Sequence, residues 1–189
     1  VAWLVAMNHP ERLRRLAVLS MPHPAHIPAM TRDPRQALRL GWTRLLRVPF
    51  APELLLRSGD FRLLRRLVAG ASDRFGAVTE GDLALYAEAF AHKESLKGAV
   101  DAWRAFFEYG PGMLQRLLKP LPMSTLLIHG RRDPLFKSRH VPPSEQWVPQ
   151  ATLEVLPEAR HWPHWDEPDF VGERLAAFFQ AGLEDAWEE

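Results

Sequence analysis

Three short runs rich in Leu, Val and Ile, each followed by a polar loop, occur at residues 16–20, 125–128 and 153–156. Short runs of this kind are typical of strands that are buried in a parallel sheet. Helix-period segments precede the first run, at 1–9, and follow the last, from about 168 onward to beyond 183. Strands that alternate with helices predict an α/β fold with a parallel sheet and right-handed crossovers.

The middle of the chain, from 26 to 119, contains several helix-period segments and no convincing strand. Thr79 followed by Asp82 is typical of a helix start with a capping hydroxyl and an acidic first turn. Gly59 and the Gly-Pro-Gly sequence at 110–112 predict breaks between helices. An all-helical stretch inserted between strand–helix units predicts a lid over the sheet.

We therefore divide the chain into three segments: a core α/β segment at 1–25, a helical lid (cap) domain at 26–119 and a C-terminal α/β segment at 120–189. A further helix is expected near 143–147, between the second and third strands. The first helix starts at Val1 without a capping side chain, which predicts that the chain begins inside a domain. A GTG start codon is the alternative explanation.

Composition excludes several classes of function. The 189 residues, 47% of them hydrophobic, are enough for a globular domain with a core. Lys+Arg is 24 and Asp+Glu is 23, so no bulk charge attracts the chain to nucleic acid or anionic lipid. The chain has no Cys, which removes disulfides and thiol nucleophiles. No apolar run approaches the roughly 20 residues of a membrane span. From the absence of Cys we expect a cytoplasmic protein, and from the balanced charge and the short apolar runs we expect no nucleic-acid and no membrane partner.

An acid and a histidine follow the second and third apolar runs, at Asp133 and His161. An open α/β sheet places its chemistry at the carboxyl ends of its strands. A histidine titrates near neutrality and suits a general base, and a carboxylate on its other ring nitrogen fixes the tautomer. Alone, Asp133 could be a turn residue before Pro134 and His161 an incidental loop residue. Together they favour a catalytic acid–histidine pair.

Metal binding is not expected. His23 and His26, like His161 and His164, are three residues apart, but both segments contain proline and no third ligand stands out. His129 lies within the second strand, which indicates a structural role. The sequence therefore predicts no metal and no cofactor.

Several segments together resemble the epoxide-hydrolase branch of the α/β-hydrolase family. They are VAWLVA at 1–6, LSMPHP at 19–24, PFAPE at 49–53, and His161-Trp162 followed by DEPDFV at 166–171. Members of the α/β-hydrolase family present their triad in the chain order nucleophile, acid, histidine. The resemblance covers nearly the whole chain and implies a partial α/β-hydrolase fold, its C-terminal portion, with Asp133 as the acid and His161 as the base.

In that branch an aspartate on the nucleophile elbow attacks an epoxide carbon, and the His–Asp pair activates the water that hydrolyses the resulting ester to a diol. The resemblance places this nucleophile before Val1, so the chain alone is expected to be inactive. It implies a small apolar epoxide as substrate. Part of a parallel sheet would also have unpaired edges, through which the chain could associate with a complementary fragment.

The branch normally has two lid tyrosines that bind the epoxide oxygen, and the matching positions here are Trp42 and Trp103. We expect both, with Trp162, to line the substrate pocket; neither Tyr86 nor Tyr109 falls on those positions. An indole N–H donates a hydrogen bond but is a very poor acid. It suits a leaving halide better than an alkoxide, so a haloalkane-dehalogenase-like hydrolase is the alternative. A third hypothesis is a degenerate fragment without activity.

Overall fold

Three parallel strands form the sheet at the centre of the protein. The computed structural model describes residues 1–72 and 77–184. The strands lie side by side in the order in which they follow along the chain, and both neighbouring pairs are parallel. They are β1 (Arg15–Leu19), β2 (Ser124–Gly130) and β3 (Ala151–Leu156). The predicted parallel α/β architecture is confirmed.

Helices precede, separate and follow the strands. The α-helices are α1 (Ala2–Asn8), α2 (Ile27–Arg32), α3 (Pro34–Arg39), α4 (Ala51–Ala69), α5 (Glu80–Ala91), α6 (Lys93–Arg116), α7 (Pro163–Asp166) and α8 (Pro168–Glu184). Short 3-10 helices occupy Pro10–Arg12, Pro24–His26, Gly41–Arg47 and Ser138–His140. None of the described helices combines the length and apolarity that crossing a bilayer requires.

The central strand β2 is buried on both faces of the sheet. Leu127 packs on one face in a cluster with Trp3 and Met7 of α1. Leu126 and Ile128 point to the other face, where they pack in a second cluster with Val171 of α8. Successive residues of a strand point to opposite faces, so helices are needed on both sides. Burying each of these side chains stabilises the fold by roughly 1.5–3 kcal/mol.

Between β1 and β2 the described residues form helices and no strand, as the sequence predicted. Helix α5 begins with the expected capping box, in which Thr79 and Asp82 satisfy each other's backbone N–H groups. Helix α4 is divided near its middle, where Ser58–Phe61 are not helical and Gly59, Asp60 and Phe61 have positive φ. The predicted break at Gly59 is therefore confirmed.

Two local predictions were wrong. Helix α6 continues through the Gly-Pro-Gly sequence at 110–112, because the packing of its buried side chains, Leu96, Val100 and Leu114, outweighs the lost backbone hydrogen bond. The segment 143–147 forms turns and no helix. Prolines at 142, 143 and 149 leave room for one turn, in which Ser144 accepts hydrogen bonds from residues 147 and 148.

A buried histidine beside β1 makes stability depend on pH. His23 is 0% exposed and packs edge-on against Trp3, with ring centroids 4.8 Å apart. Burial, with a contribution from His26, lowers the pKa of His23 from 6.5 to about 4. The unfolded chain therefore binds a proton at this residue before the folded chain does, and the folded state loses stability as the pH falls from 6.5 through 4.

We expect the contribution of His23 to the free energy of unfolding, measured with urea, to fall by about 2–3 kcal/mol between about pH 7.5 and about pH 4.5. His23→Asn keeps an acceptor for the N–H of Ala25, which the Nδ1 of His23 now accepts, but does not titrate. Its free energy of unfolding should be lower at neutral pH, because the Trp3 contact is lost, and should fall less steeply with acid. An unchanged slope in this variant would contradict the assignment.

Candidate active site

Asp133 and His161 are brought together at the carboxyl ends of β2 and β3. The Nδ1 of His161 lies 2.9 Å from Oδ2 of Asp133, within hydrogen-bonding distance. Asp133 is 2% exposed, whereas the side chain of His161 is 21% exposed. A buried carboxylate thus orients a histidine that is itself partly exposed. In this arrangement Nδ1 donates to the acid, and Nε2 is left as a proton acceptor.

The loop after β2 fixes the direction in which the Asp133 carboxylate points. We call residues 131–140 the acid loop. The backbone N–H groups of Leu135 and Phe136 donate to Oδ1 of Asp133, at 2.7 and 3.0 Å. Asp133 thus bonds backbone groups two and three residues ahead, as Asp commonly does in turns. With Oδ1 occupied by the loop, Oδ2 is the oxygen that faces His161.

His129 lies beneath the pair, inside β2. It is fully buried, and its Nδ1 is 3.8 Å from Oδ2 of Asp133. Burial lowers the pKa of His129, and the nearby Asp133 carboxylate opposes this shift. A neutral ring at 3.8 Å does not compete with His161 for a hydrogen bond to the Asp133 carboxylate. The burial of His129 fits the structural role that the sequence suggested.

A glycine allows the acid loop to pass close to the loop that carries His161. We call residues 157–162 the histidine loop. A Cβ at Gly130 would lie 2.0 Å from the carbonyl oxygen of Arg160 and 2.3 Å from that of Ala159. The loops are also joined by a hydrogen bond from the N–H of Arg132 to the carbonyl of Ala159, at 3.0 Å. Only glycine leaves room for this approach.

Residues 70–72, just after α4, hold the histidine loop by hydrogen bonds. The carbonyl of Ala71 accepts from the N–H of Trp162 at 3.0 Å, and the carbonyl of Gly70 accepts from Nη1 of Arg160 at 3.1 Å. Ser72 donates to the carboxylate of Asp166. Asp166 in turn accepts from the backbone N–H of Arg160 at 2.7 Å. His161 is therefore flanked on both sides by residues bonded to the segment just after α4.

A cavity of about 380 Å³ lies beside the acid loop. Its walls come from the turn after β1, from α2 and α3, from the 3-10 helix that follows them, and from α6. Most of the lining is apolar, with Met21, Ile27, Met30, Leu40, Leu46, Phe106, Phe107 and Phe136 among the residues. This size and composition suit a small apolar ligand. Phe136 connects the cavity to the pair, because its ring centroid is 6.0 Å from that of His161.

Two of the three predicted pocket tryptophans, Trp42 and Trp103, lie between β1 and β2, and Trp162 lies in the histidine loop. Trp42 and Trp103 have ring centroids 6.3 Å apart, and both pack against Phe107, which lines the cavity. Trp162 stacks on Tyr86 of α5, with ring centroids 5.9 Å apart. None of these three side chains is among the residues that line the cavity. Their assignment to the substrate pocket stays a prediction, and the side chain of Tyr109 lies outside the described residues.

Sequence reasoning missed two residues of this region. Phe136 follows Asp133 by three positions, and its place between cavity and histidine depends on the turn of the acid loop. Ser20, at the end of β1, is buried and has a positive φ of 53°. Backbone strain of this kind is frequent at functional sites, but no side-chain pattern signals it. Among the described residues, no group of three or more His, Asp or Glu side chains could hold a metal ion.

Comparison with known proteins identifies the class of this protein. The family model described as the alpha/beta hydrolase fold matches residues 1–168. The chain therefore belongs to the α/β-hydrolase fold family, in agreement with the parallel sheet and the acid–histidine pair at its strand ends.

Individual relatives agree with this family. The chain is 28% identical over 186 residues to epoxide hydrolase 4 of Homo sapiens, which covers 95% of the chain and 50% of the human protein. It is 26% identical over 181 residues to the AB hydrolase superfamily protein YfhM of Bacillus subtilis, and the match covers 95% of the chain and 62% of the Bacillus protein. The crystal structure of an epoxide hydrolase from Bacillus megaterium in complex with an inhibitor superposes with a TM-score of 0.77 at 22% identity. The match covers 94% of this chain and 64% of the Bacillus megaterium chain. The chain thus spans about half the length of its human relative.

Proposed function

We propose that this chain supplies the acid and the histidine of an epoxide-hydrolase-like hydrolase. The hydrogen-bonded contact between Asp133 and His161 is the observation that supports the proposal most strongly, because it fixes the tautomer that a water-activating base requires. The epoxide hydrolases among its relatives support the choice of substrate class. The apolar cavity beside Phe136 fits a small apolar epoxide.

The proposed reaction has two steps. A carboxylate nucleophile, a residue that we do not assign within these 189 residues, attacks an epoxide carbon. The C–O bond of the ring opens, the ring oxygen takes up a proton from solvent, and an ester to the enzyme forms. Nε2 of His161 then removes a proton from water, and the hydroxide attacks the ester carbonyl. The acyl C–O bond breaks, the proton of the new acid passes to the departing alkoxide, and the diol leaves with the carboxylate restored. Asp133 stabilises the imidazolium until it returns its proton to solvent.

We propose further that residues 26–119 act as a lid that closes the cavity over the substrate. Residues of α2, α3 and α6 form much of its wall, and residues 70–72 bond the histidine loop. A lid excludes water from the first step, in which water would compete with the nucleophile.

The covalent intermediate provides the test. His161→Gln is expected to accumulate an ester, seen by intact-protein mass spectrometry as an increase equal to the mass of a terminal epoxide, because the base that activates water is gone. The measurement uses the polypeptide that the reading frame encodes, including any residues upstream of Val1. The 189-residue chain alone should show neither adduct nor turnover, since removal of a nucleophile leaves only residual catalysis.

His92→Gln is the matched control, because His92 is an exposed histidine at the start of α6. This variant should turn over the epoxide like the unaltered protein and show no adduct. Turnover that persists in His161→Gln would contradict the assigned role of His161. Turnover by the 189-residue chain alone would contradict the placement of the nucleophile outside it.

A haloalkane-dehalogenase-like reaction is the second candidate, and the contact between Trp42 and Trp103 favours it. Two indole N–H groups can stabilise a leaving halide, which needs donors and no proton. If this reaction is the correct one, bromide should quench the fluorescence of these tryptophans, and Trp42→Phe with Trp103→Phe should remove the quenching. Quenching that persists in the double variant would assign it to another tryptophan and remove the support for this candidate.

A further inference from the structure

Helix α3 lies along the acid loop and contacts it through a row of polar side chains. Asp33, Gln36 and Arg39 follow one another at intervals of three, so they lie on one side of the helix. Asp33 caps the helix by accepting from the N–H of Arg35 at 3.0 Å. Together these residues contact the acid loop from one end to the other. They are separated from it in sequence by about a hundred residues.

Gln36 has the most demanding position. Its side chain is completely buried, at 0% exposure. Its Nε2 donates to the carbonyl of Leu135 at 2.5 Å, and its Oε1 accepts from the N–H of Lys137 at 3.2 Å. Both ends of the amide are thus used by backbone groups on either side of Phe136. A buried amide costs free energy unless it is hydrogen-bonded, so these two bonds hold the amide and the loop in one arrangement.

Arg39 bonds the loop at the catalytic acid itself. Its Nη1 donates to the backbone carbonyl of Asp133 at 2.9 Å and to that of Pro134 at 3.1 Å. At the other end of the loop, Asp33 pairs with Arg139 and with Nε2 of His140, the latter at 2.8 Å. Hydrogen bonds from Arg139 and His140 hold the pKa of Asp33 well below its ordinary range, so its charge is kept at neutral pH.

We propose that Gln36 and Arg39 are positioning residues for the Asp133–His161 pair. They hold the acid loop in the turn that directs Oδ2 of Asp133 toward His161. Ala37 and Leu40 of the same segment line the cavity, so one helix both shapes the cavity and fixes the acid beside it. This inference rests on the proposed function, in which the pair activates water.

The state of the His161 ring provides a readout that a purely stabilising role would not change. In the unaltered 189-residue chain, ¹⁵N NMR should show Nδ1 protonated and Nε2 unprotonated. In Gln36→Met and Arg39→Met, the folded protein should show a mixture of the two tautomers. Exchange of the Nδ1 proton with solvent should be faster by roughly 10-fold, because a hydrogen bond weakened by about 1.4 kcal/mol is open about ten times as often.

Two substitutions elsewhere are matched controls. Gln115 donates to the carbonyl of Pro24 at 2.9 Å, and Arg57 donates to that of Ala91 at 2.6 Å. Each side chain therefore donates a hydrogen bond to a backbone carbonyl distant in sequence, but neither side chain bonds to the acid loop. Gln115→Met and Arg57→Met should retain the ring signals of the unaltered protein.

Arg39→Lys is the rescue variant. Both bonds of Arg39 come from a single nitrogen, so an ammonium group can replace it, and the native tautomer should return. Native ring signals and native proton exchange in Arg39→Met, at an exposed position where the variant should still fold, would overturn the proposal. A different result would show that only the proposed function is wrong. In that case His161→Gln would form no ester, but the ring signals of His161 would still change in Arg39→Met.

Discussion

Asp133→Asn is expected to move the proton of His161 from Nδ1 to Nε2 and to lower epoxide turnover by roughly 10⁴-fold. The direction follows from the acid loop. The N–H groups of Leu135 and Phe136 both donate to one side-chain oxygen, so the amide oxygen of the asparagine must stay with them. Its NH2 group then faces His161 and makes Nδ1 an acceptor. The ring keeps its proton on Nε2, where it cannot take one from water.

The tautomer is measured by ¹⁵N NMR of the 189-residue chain, and turnover is measured on the polypeptide that the reading frame encodes. Asp82→Asn is the matched control, because the Asp82 carboxylate also accepts a backbone N–H, that of Thr79 at 2.9 Å, but in the capping box of α5. This control should lower stability by about 1 kcal/mol and leave the ring signals unchanged. An unchanged tautomer in Asp133→Asn would show that the two side chains are not paired in solution.

The acid loop and the histidine loop are held by different parts of the segment between β1 and β2. The acid loop is bonded by α3 through Gln36 and Arg39, and the histidine loop by residues 70–72 after α4. The distance between Asp133 and His161 therefore depends on α3 and on residues 70–72 as well as on the sheet. We expect movements of the lid to reach the pair through these bonds, which is one physical route by which substrate closure can assemble a site.

The sequence predicted the pair because its elements are local. A short apolar run predicts a strand, the residues just after it predict the loop, and parallel strands bring such loops to one edge of the sheet. Asp133 and His161 could therefore be assigned from their order and position. The contact of 2.9 Å between their side chains follows from β2 and β3 being neighbours in the sheet.

The contacts that complete the site could not be read in this way. Gln36 is buried only because α3 packs on a loop about a hundred residues later, and an isolated glutamine in a helix-period segment carries no sign of that. The spacing of Asp33, Gln36 and Arg39 on one helix side was the available signal. Similarly, the packing of Leu96 and Leu114 decided that α6 would continue through its proline, which local propensity opposed.

Gly130→Ala is expected to destabilise the fold and to separate Asp133 from His161. Both effects come from the one Cβ atom that the substitution adds. The added Cβ would lie within 2.0–2.5 Å of backbone atoms of Ala159 and Arg160. Backbone on both sides cannot rotate away as a side chain can, because β2 is paired with β1 and β3 and the histidine loop is bonded to residues 70–72. The free energy of unfolding should fall by about 3 kcal/mol.

The histidine loop must move to relieve this contact, and a shift of about 1 Å at His161 should lower turnover roughly 100-fold. Urea unfolding and epoxide turnover measure the two effects. Gly172→Ala tests the same substitution with the opposite sign, since nothing lies within 4 Å of its added Cβ inside α8 and alanine favours a helix by about 1 kcal/mol. If Gly130→Ala were as stable as Gly172→Ala, the backbone of Ala159 and Arg160 could not lie as close to Gly130 as the structure places it.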